Sequence, residues 1–171
     1  KGLVIHYAIH DSPFGSYLIA ASDKGICQLN FINDNEKQVL DELEDNWGQA
    51  TIAEDPAVTE IYHRKIFAGN NTENEQITLL LKGTNFQIKV WQALLKIPFG
   101  NITTYEEVAK LADKPSATRA SASAIARNNI AWLIPCHRVV RKIGDSGQYR
   151  WGALRKKIIL GYEGSVLSAN T

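Results

Sequence analysis

A cysteine and a histidine stand side by side in the run Ile134–Val139, which reads Ile-Pro-Cys-His-Arg-Val. Cysteine is nucleophilic as a thiolate, and a nearby histidine is the usual group that removes the thiol proton near neutral pH. Pro135 fixes its own φ and biases the residue before it towards extended geometry, so we expect a rigid, extended segment. A Cys-His pair alone is also compatible with a buried core cysteine. These residue types predict nucleophilic chemistry at Cys136 with His137 as its base.

The two halves of the chain carry opposite charge. Residues 1–84 have 6 Lys and Arg against 13 Asp and Glu, a net charge of −7, whereas residues 85–171 have 13 against 5, a net charge of +8. The asymmetry favours a polyanionic partner for the second half, although charged faces that are merely solvated give the same counts.

Size and composition indicate a globular protein. A chain of 171 residues, 44% hydrophobic and 22% charged, forms one good-sized domain or two small ones. It has no apolar run of membrane-spanning length, and its first residues do not resemble a signal peptide, so we expect no membrane association. Because the chain contains no methionine, we expect a processed form or a piece of a longer protein.

The second cysteine, Cys27, lies in the alternating run Gly25–Leu29, which predicts a strand and a buried structural thiol. A disulfide with Cys136 is the alternative. Two free thiols fit a reducing, cytoplasmic compartment best.

The first half predicts a small α/β domain over residues 1–82. Three β-prone runs separated by turn residues predict a three-stranded antiparallel sheet: Leu3–Ile9, Ser16–Ala21 and Gly25–Ile32. Two helices, a polar loop and an extended run follow: Asp34–Trp47, Pro56–Ala68, Asn70–Gln76 and Ile77–Leu81. The histidines of this half are too scattered along the sequence to indicate a metal site: His6, His10 and His63.

Residues 83–171 predict a mostly helical domain. A capping-box pattern at Thr84–Gln87 precedes an amphipathic helix, and a second at Thr103–Glu106 precedes another. Ser116 is placed to cap a third helix, from Ala117 to about Arg127. The second and third helices, joined by a short turn, predict a helix-turn-helix.

A last, basic helix is predicted from Trp151 to Leu160, ending before Gly161.

The third helix consists almost entirely of small residues. Residues 117–126 read Ala-Thr-Arg-Ala-Ser-Ala-Ser-Ala-Ile-Ala. Reading base edges in the major groove needs long polar side chains, whereas small residues allow close approach in the minor groove, with Arg119 free to enter the base stack. Tight packing against a neighbouring helix explains the composition equally well.

Six motifs together resemble the O6-alkylguanine-DNA alkyltransferases, a family that transfers an alkyl group from a damaged base to its own cysteine. They are Val90–Leu94, Ile97–Gly100, Thr104–Tyr105, Ala117–Ala120, Ile134–Val140 and Gln148–Gly152. The resemblance covers nearly the whole chain and is greatest for the bacterial adaptive-response members. It implies an RNase H-like domain at residues 1–82 and a DNA-binding and active-site domain at residues 83–171.

The resemblance implies a catalytic set around the thiol. Cys136 would accept the alkyl group, His137 would act as its base through a water molecule, and Glu163 would hold the histidine in the right tautomer. Tyr105 would donate a proton to the flipped guanine, and Asn128 would tie the third helix to the active-site segment.

The resemblance also implies contacts to DNA and to the damaged base. Arg119 would fill the space that the flipped base leaves, and Tyr149 and Arg150 would belong to a loop that reads the base. Trp151 would stand at the lip of the pocket and exclude bulky benzyl adducts. The remaining implied contacts are Thr118, Ala120, Arg127 and Val139.

The expected activity is irreversible, single-turnover transfer of a methyl group from O6-methylguanine in double-stranded DNA, with O4-methylthymine as a further candidate lesion. We expect a monomer that needs no metal or other cofactor. One alternative is a lesion-binding or regulatory module without transfer chemistry, against which the presence of Cys136 argues. Another is a thiol hydrolase, but the sequence shows neither a distant catalytic histidine nor an oxyanion site.

Overall fold

The computed structural model describes residues 2–67 and 76–170, and the chain divides into two compact units, residues 1–81 and 82–171. The N-terminal unit contains a four-stranded sheet with strand order β3-β2-β1-β4. Its strands are β1 (Val4–Ser12), β2 (Gly15–Ser22), β3 (Gly25–Phe31) and β4 (Thr51–Glu54). The first three pair antiparallel, and β4 pairs parallel with β1.

The expected combination of a small, mainly antiparallel sheet with helices is confirmed, but a sheet of three strands is wrong. Sequence reading misses β4 because only Ile52 in it is even partly buried. Backbone pairing with the edge of β1 creates this strand, and such pairing leaves no hydrophobic pattern. The predicted extended run at residues 77–81 reduces to one bridge, between Leu79 and Ile26.

Two helices cover this sheet. Helix α1 (Glu36–Trp47) begins after Asn35, whose side chain accepts a hydrogen bond from the backbone N–H of Lys37 at 2.9 Å. Helix α2 (Pro56–Phe67) packs against β1. The core between sheet and helix contains Ile5, Leu18, Ala20, Cys27, Val39 and Leu43. Ala68 and most of the predicted polar loop lie outside the described residues.

Cys27 is confirmed as a structural thiol. It is 3% exposed in this core, and its Sγ donates to the carbonyl of Ala20 at 3.4 Å. Burial raises its pKa to about 12, so the sulfur stays protonated and inert. Cys27 and Cys136 are both free, so the disulfide alternative is wrong.

Two of the three histidines that are scattered along the sequence lie close together in the fold, which their spacing did not predict. His10 on β1 and His63 on α2 stack with ring centroids 4.7 Å apart and planes 11° apart, and Glu60 lies 3.6 Å from His10 Nδ1. Imidazole lone pairs lie in the ring plane, so two nearly parallel rings do not point at one ion. Nδ1 of His63 also lies 2.6 Å from the Tyr17 hydroxyl. The rings of His10, His63 and Tyr17 pack together as a cluster.

Gly25 offers a test of this unit. Its φ is +125°, and an added Cβ would lie 2.5 Å from the carbonyl oxygen of Thr78. We expect Gly25→Ala to lower the free energy of unfolding by about 2 kcal/mol or more, because strain and clash act together. Thermal denaturation followed by circular dichroism measures the effect.

The control is Gly164→Ala, which places a methyl group in open space on a helix. It should be stabilising by up to about 1 kcal/mol. Equal effects of the two substitutions would contradict the account of Gly25.

The C-terminal unit is mostly helical, as predicted. Its elements are α3 (Asn85–Leu94), β5 (Thr103–Thr104), α4 (Tyr105–Leu111), α5 (Thr118–Ala126), β6 (Val139–Val140) and α6 (Ala153–Ala169). The capping box at Thr84 and Gln87 is confirmed. Trp91 of α3 donates from its indole nitrogen to the carbonyl of Ala124 at 2.9 Å, which fixes α3 against α5.

Helices α4 and α5 pack together as a helix-turn-helix, with two corrections at their starts. Thr104, one residue later than predicted, caps α4 by accepting from the N–H of Glu107 at 3.3 Å. Helix α5 begins at Thr118 without a side-chain cap, so the predicted role of Ser116 is wrong. The N–H of Ala117 already bonds back to Lys114 at 2.9 Å, so the chain turns before the helix starts.

Two further expectations for this unit are wrong. The segment at the thiol is not extended: residues Cys136–Arg138 form one turn of 3₁₀ helix, closed by the Arg138 N–H on the carbonyl of Pro135 at 3.0 Å. Helix α6 runs through Gly161 to Ala169. Ile159 and Glu163, four residues apart, are both buried, and this packing outweighs the helix-weakening effect of glycine.

Candidate active site

A cavity of about 670 Å³ opens in the C-terminal unit. Its walls come from the start of α4, one face of α5, the 3₁₀ turn and the loop at residues 141–150. Cys136 lies in its wall and is only 5% exposed. Volumes of about 300–1,000 Å³ are usual for small-molecule sites. The cavity therefore offers room for a ligand directly at a buried thiol.

The thiol of Cys136 needs a base. Burial raises its pKa to about 11, while a hydrogen bond from Asn128 and the charge of Lys156 act in the opposite direction. At neutral pH the resting sulfur is therefore protonated, and its proton must leave before or during any nucleophilic attack.

His137 is arranged as that base. It is fully buried, and its Nε2 lies 2.8 Å from Oε1 of Glu163. Burial lowers the pKa of His137, against the opposing effect of Glu163, so the ring is neutral at pH 7. A neutral ring that donates Nε2–H to a carboxylate carries its lone pair on Nδ1. That Nδ1 is buried and has no hydrogen-bond partner among the described residues.

Arg138 holds the carboxylate, a role that sequence reading missed. Its Nε and Nη2 donate to the two oxygens of Glu163 at 3.0 and 2.7 Å, and its Nη1 donates to the carbonyl of Ile97 at 2.7 Å. Burial alone would raise the pKa of Glu163, but the bonds from His137 and Arg138 lower it to about 2. The only sequence signal for this contact is the position of Arg138 beside His137.

Asn128 lies where the resemblance implies, between the end of α5 and the thiol. Its Nδ2 is 3.2 Å from the carbonyls of Ile130 and Ile134 and 3.3 Å from Sγ of Cys136. Its Oδ1 accepts from the N–H of Ile130 at 2.9 Å. An amide nitrogen has two hydrogens, so three acceptors share them. The side chain thereby fixes the backbone that carries the thiol.

Lys156 is a second group that sequence reading missed. It is fully buried on α6, and its Nζ donates to the carbonyls of Val139 at 2.5 Å and Gln148 at 3.2 Å. Burial lowers its pKa to about 8. The ammonium group joins β6 to the loop over the cavity and places positive charge near the thiol.

The expected DNA contacts divide into two groups. Thr118 and Arg119 line the cavity, together with Ala122 and Ala126 one and two turns further along α5. Three other expected contacts do not line it: Ala120 and Arg127 are exposed elsewhere, and Val139 is buried in β6.

Trp151 does not stand at the lip of the pocket. It is 3% exposed, and its ring packs edge-on against that of Tyr149, with ring centroids 5.3 Å apart. The guanidinium carbon of Arg150 lies over the Trp151 ring, also 5.3 Å from the ring centroid. The expected exclusion of benzyl adducts by Trp151 therefore has no structural basis, because its ring is packed away from the cavity.

The other aromatic and basic residues of the site do line the cavity: Tyr105, Tyr149 and Arg150. Burial raises the pKa of Tyr105 and raises that of Tyr149 well above its ordinary value, so both phenols are hydrogen-bond donors at neutral pH. Arg150 donates to the carbonyl of Asn128 at 2.8 Å and to Oδ1 of Asn129 at 2.6 Å. This contact ties the loop to the segment that Asn128 organises.

Both units match models of one protein family. Residues 5–79 match the ribonuclease-like domain, and residues 85–165 match the DNA binding domain, of 6-O-methylguanine DNA methyltransferase. None of the described helices is long and apolar enough to cross a membrane.

Curated relatives agree with these matches. The chain is 39% identical over 162 residues to the bifunctional transcriptional activator/DNA repair enzyme Ada of Escherichia coli, covering 94% of this chain and 46% of Ada. The chain thus spans about half the length of Ada, and 44% of the regulatory protein ada of Salmonella typhimurium. It is 37% identical to the methylated-DNA–protein-cysteine methyltransferase of Methanosarcina acetivorans, covering 94% of this chain and 99% of that protein.

A solved structure resembles nearly the whole chain. The crystal structure of Mycobacterium tuberculosis OGT in complex with DNA superposes with a TM-score of 0.74 at 32% identity, covering 94% of this chain and 93% of that one. With the relative from Methanosarcina acetivorans matched over nearly its full length, this chain belongs to the methylated-DNA–protein-cysteine methyltransferase family.

Proposed function

We propose that the chain repairs DNA by transferring the methyl group of O6-methylguanine in duplex DNA to Sγ of Cys136, once per molecule. The observation that carries this proposal is the thiol itself. It is buried at the wall of an open cavity, next to a neutral histidine that is held by an ionised carboxylate. Family membership and the DNA complex of the Mycobacterium tuberculosis relative support the same conclusion.

The proposed reaction moves one methyl group and one proton. The thiol proton passes through a bridging water to Nδ1 of His137, and the imidazolium is stabilised by Glu163. Sulfur then attacks the methyl carbon, the carbon–O6 bond breaks, and guanine leaves. The Tyr105 phenol donates a proton to the departing base and then recovers a proton from His137 through water. The net result is that one proton moves from the thiol to guanine. The product is a thioether and an unmodified base.

DNA binding is assigned to the face that carries the cavity. A target atom inside a duplex is reached only after its nucleotide flips out, at a cost of a few kcal/mol. The cavity offers space for the flipped base, and Arg119, an exposed side chain at its edge, is the residue to occupy the gap in the stack. The alanines of α5 allow close approach to the minor groove.

Four secondary proposals follow. Residues 1–82 and 83–171 act as two domains, and the second holds the whole site. The protein acts as a monomer, because residues 82–171 of a single chain contain every group that the reaction uses. It works in a reducing, cytoplasmic compartment, since a disulfide would consume the nucleophile. O4-methylthymine is a further substrate to test.

The test is intact mass spectrometry after mixing with duplex DNA that contains one O6-methylguanine. We expect one methyl group per molecule, mapped to the peptide containing Cys136, and DNA restored to guanine. Cys27→Ala should still react and Cys136→Ser should not. If the protein binds the lesion but gains no methyl group, the proposal is wrong and the chain is a lesion-binding module. Repeated turnover would overturn the single-use mechanism.

A further inference from the structure

Ile143 is the most exposed large apolar side chain among the described residues, at 84%. A single exposed aliphatic residue is common on protein surfaces and by itself indicates nothing. The position of Ile143 distinguishes it, because it lies at the tip of the turn Arg141–Asp145, between β6 and the loop that borders the cavity.

This turn is closed by its own backbone. The N–H of Arg141 donates to the carbonyl of Asp145 at 2.9 Å, and the N–H of Gly144 donates to the carbonyl of Arg141 at 3.0 Å. Gly144 has a φ of +86°, a conformation that glycine adopts without strain. The side chain of Ile143 is thus presented outward by a defined turn.

The turn lies beside the proposed DNA-binding face. Arg141 lines the same cavity as Cys136 and Arg119. Lys142 reaches across to the first turn of α4, where its Nζ lies 3.4 Å from Oε2 of Glu106. The apolar tip is therefore flanked by two cations, and the pair of Lys142 with Glu106 anchors it to the first helix of the helix-turn-helix. Arg141 pairs in the same way with Asp145 of the turn, at 3.4 Å. Both are exposed surface ion pairs, which are weak, so DNA phosphates can replace the carboxylates.

We propose that the turn Arg141–Asp145 is a second DNA contact, in which Ile143 packs into the minor groove while Arg141 and Lys142 meet phosphates. This inference rests on the proposed function. Proteins that bind the minor groove frequently insert an aliphatic side chain between or against bases, where it is removed from water. Such a contact differs from phosphate contacts because burial of apolar surface releases no counterions, so it adds affinity that does not depend on salt.

The experiment measures the affinity for a fluorescent duplex containing one O6-methylguanine, in a Cys136→Ser background that prevents transfer. Adding Ile143→Ser should weaken binding about tenfold with little change in the slope of log K against log salt. Lys142→Ala should reduce that slope by about 1. Ile143→Leu should retain most of the affinity, because a similar apolar volume remains.

The matched control is Ile61→Ser, which removes another exposed isoleucine, 58% exposed, from α2 in the other unit. Affinity within twofold of the parent for Ile143→Ser would overturn the inference. The inference would also be wrong if Ile61→Ser weakened DNA binding as much as Ile143→Ser does. It would be wrong as well if Ile143→Leu lost as much affinity as Ile143→Ser. Failure of the proposed function would show separately, as protein with an intact Cys136 that gains no methyl group.

Discussion

Glu163→Gln is expected to slow methyl transfer by about a hundredfold or more, because the base loses the group that orients it and stabilises its charge. The carboxylate accepts from Nε2 of His137 at 2.8 Å and from two nitrogens of Arg138. A glutamine amide has one acceptor oxygen and one donor group in place of two acceptors. Oε1 accepts from both His137 and Nη2 of Arg138, and Oε2 accepts from Nε of Arg138. The amide nitrogen therefore faces an N–H donor in either orientation, and at least one of these bonds is lost.

The same substitution should destabilise the protein. It leaves the guanidinium of Arg138, whose side chain is 12% exposed, without its counter-charge, and breaking a buried ion pair typically costs about 3–5 kcal/mol. The pH dependence has a definite sign. The pKa of Glu163 is depressed to about 2 in the folded protein, so its contribution is present above the ordinary value of 4.5 and disappears as the pH falls towards 2.

The difference in unfolding free energy between the natural protein and Glu163→Gln should therefore be largest near neutral pH and shrink in acid. Urea denaturation followed by tryptophan fluorescence measures it, since three of the four tryptophans lie in the C-terminal unit: Trp91, Trp132 and Trp151. Single-turnover kinetics gives the rate. Glu107→Gln is the control, because it removes a carboxylate on α4 that pairs with Lys110 at the surface. A rate within threefold of the natural protein would contradict the role assigned to Glu163.

Local sequence signals predicted the elements whose structure is decided locally. The capping box at Thr84, the strand pairs of the N-terminal sheet and the helix-turn-helix follow from side-chain types at fixed spacings. The elements that were missed depend on distant partners. Strand β4 exists because β1 offers an edge, and α6 passes through two glycines because Glu163 and Ile159 pack in the core.

The site shows the same division. The Cys136-His137 pair and its surroundings could be found by motif, because the chemistry needs those residue types together. The bond from Arg138 to Glu163 spans 25 positions in the chain, and the bond from Lys156 to Val139 spans 17. Neither has a local pattern, since buried charges are paired by the fold and a lysine in a basic helix is ordinarily taken as exposed.

Asn128→Asp is expected to lower the free energy of unfolding by about 3 kcal/mol or more at pH 8, although it changes only an NH₂ group to an oxygen. The side chain is 1% exposed, and its nitrogen faces two carbonyls and the sulfur of Cys136. A carboxylate there would place negative charge against three acceptors. Transfer should also slow by about a hundredfold, because a nearby negative charge raises the pKa of the thiol further.

The sign of the pH effect identifies the cause. Burial would raise the pKa of the introduced carboxyl above its unfolded value of about 3.9, so the penalty is full at alkaline pH and is relieved as the pH falls through the raised value. A protonated carboxyl regains one donor for the three acceptors. The difference in unfolding free energy between the natural protein and Asn128→Asp should therefore become smaller from pH 8 to pH 5. A loss of stability caused by packing alone would not depend on pH.

The adjacent position supplies a control of opposite sign. Asn129→Asp introduces the same charge where Oδ1 accepts from Nη1 of Arg150 at 2.6 Å. A carboxylate at that point faces a guanidinium and strengthens an existing bond, so stability should be kept or gained. If the two substitutions destabilised the protein equally, general charge in this segment would explain the loss, and the three-acceptor role of Asn128 would fall. If Asn128→Asp lowers the free energy of unfolding and Asn129→Asp does not, the loss comes from the amide hydrogens of Asn128, which hold the thiol in position.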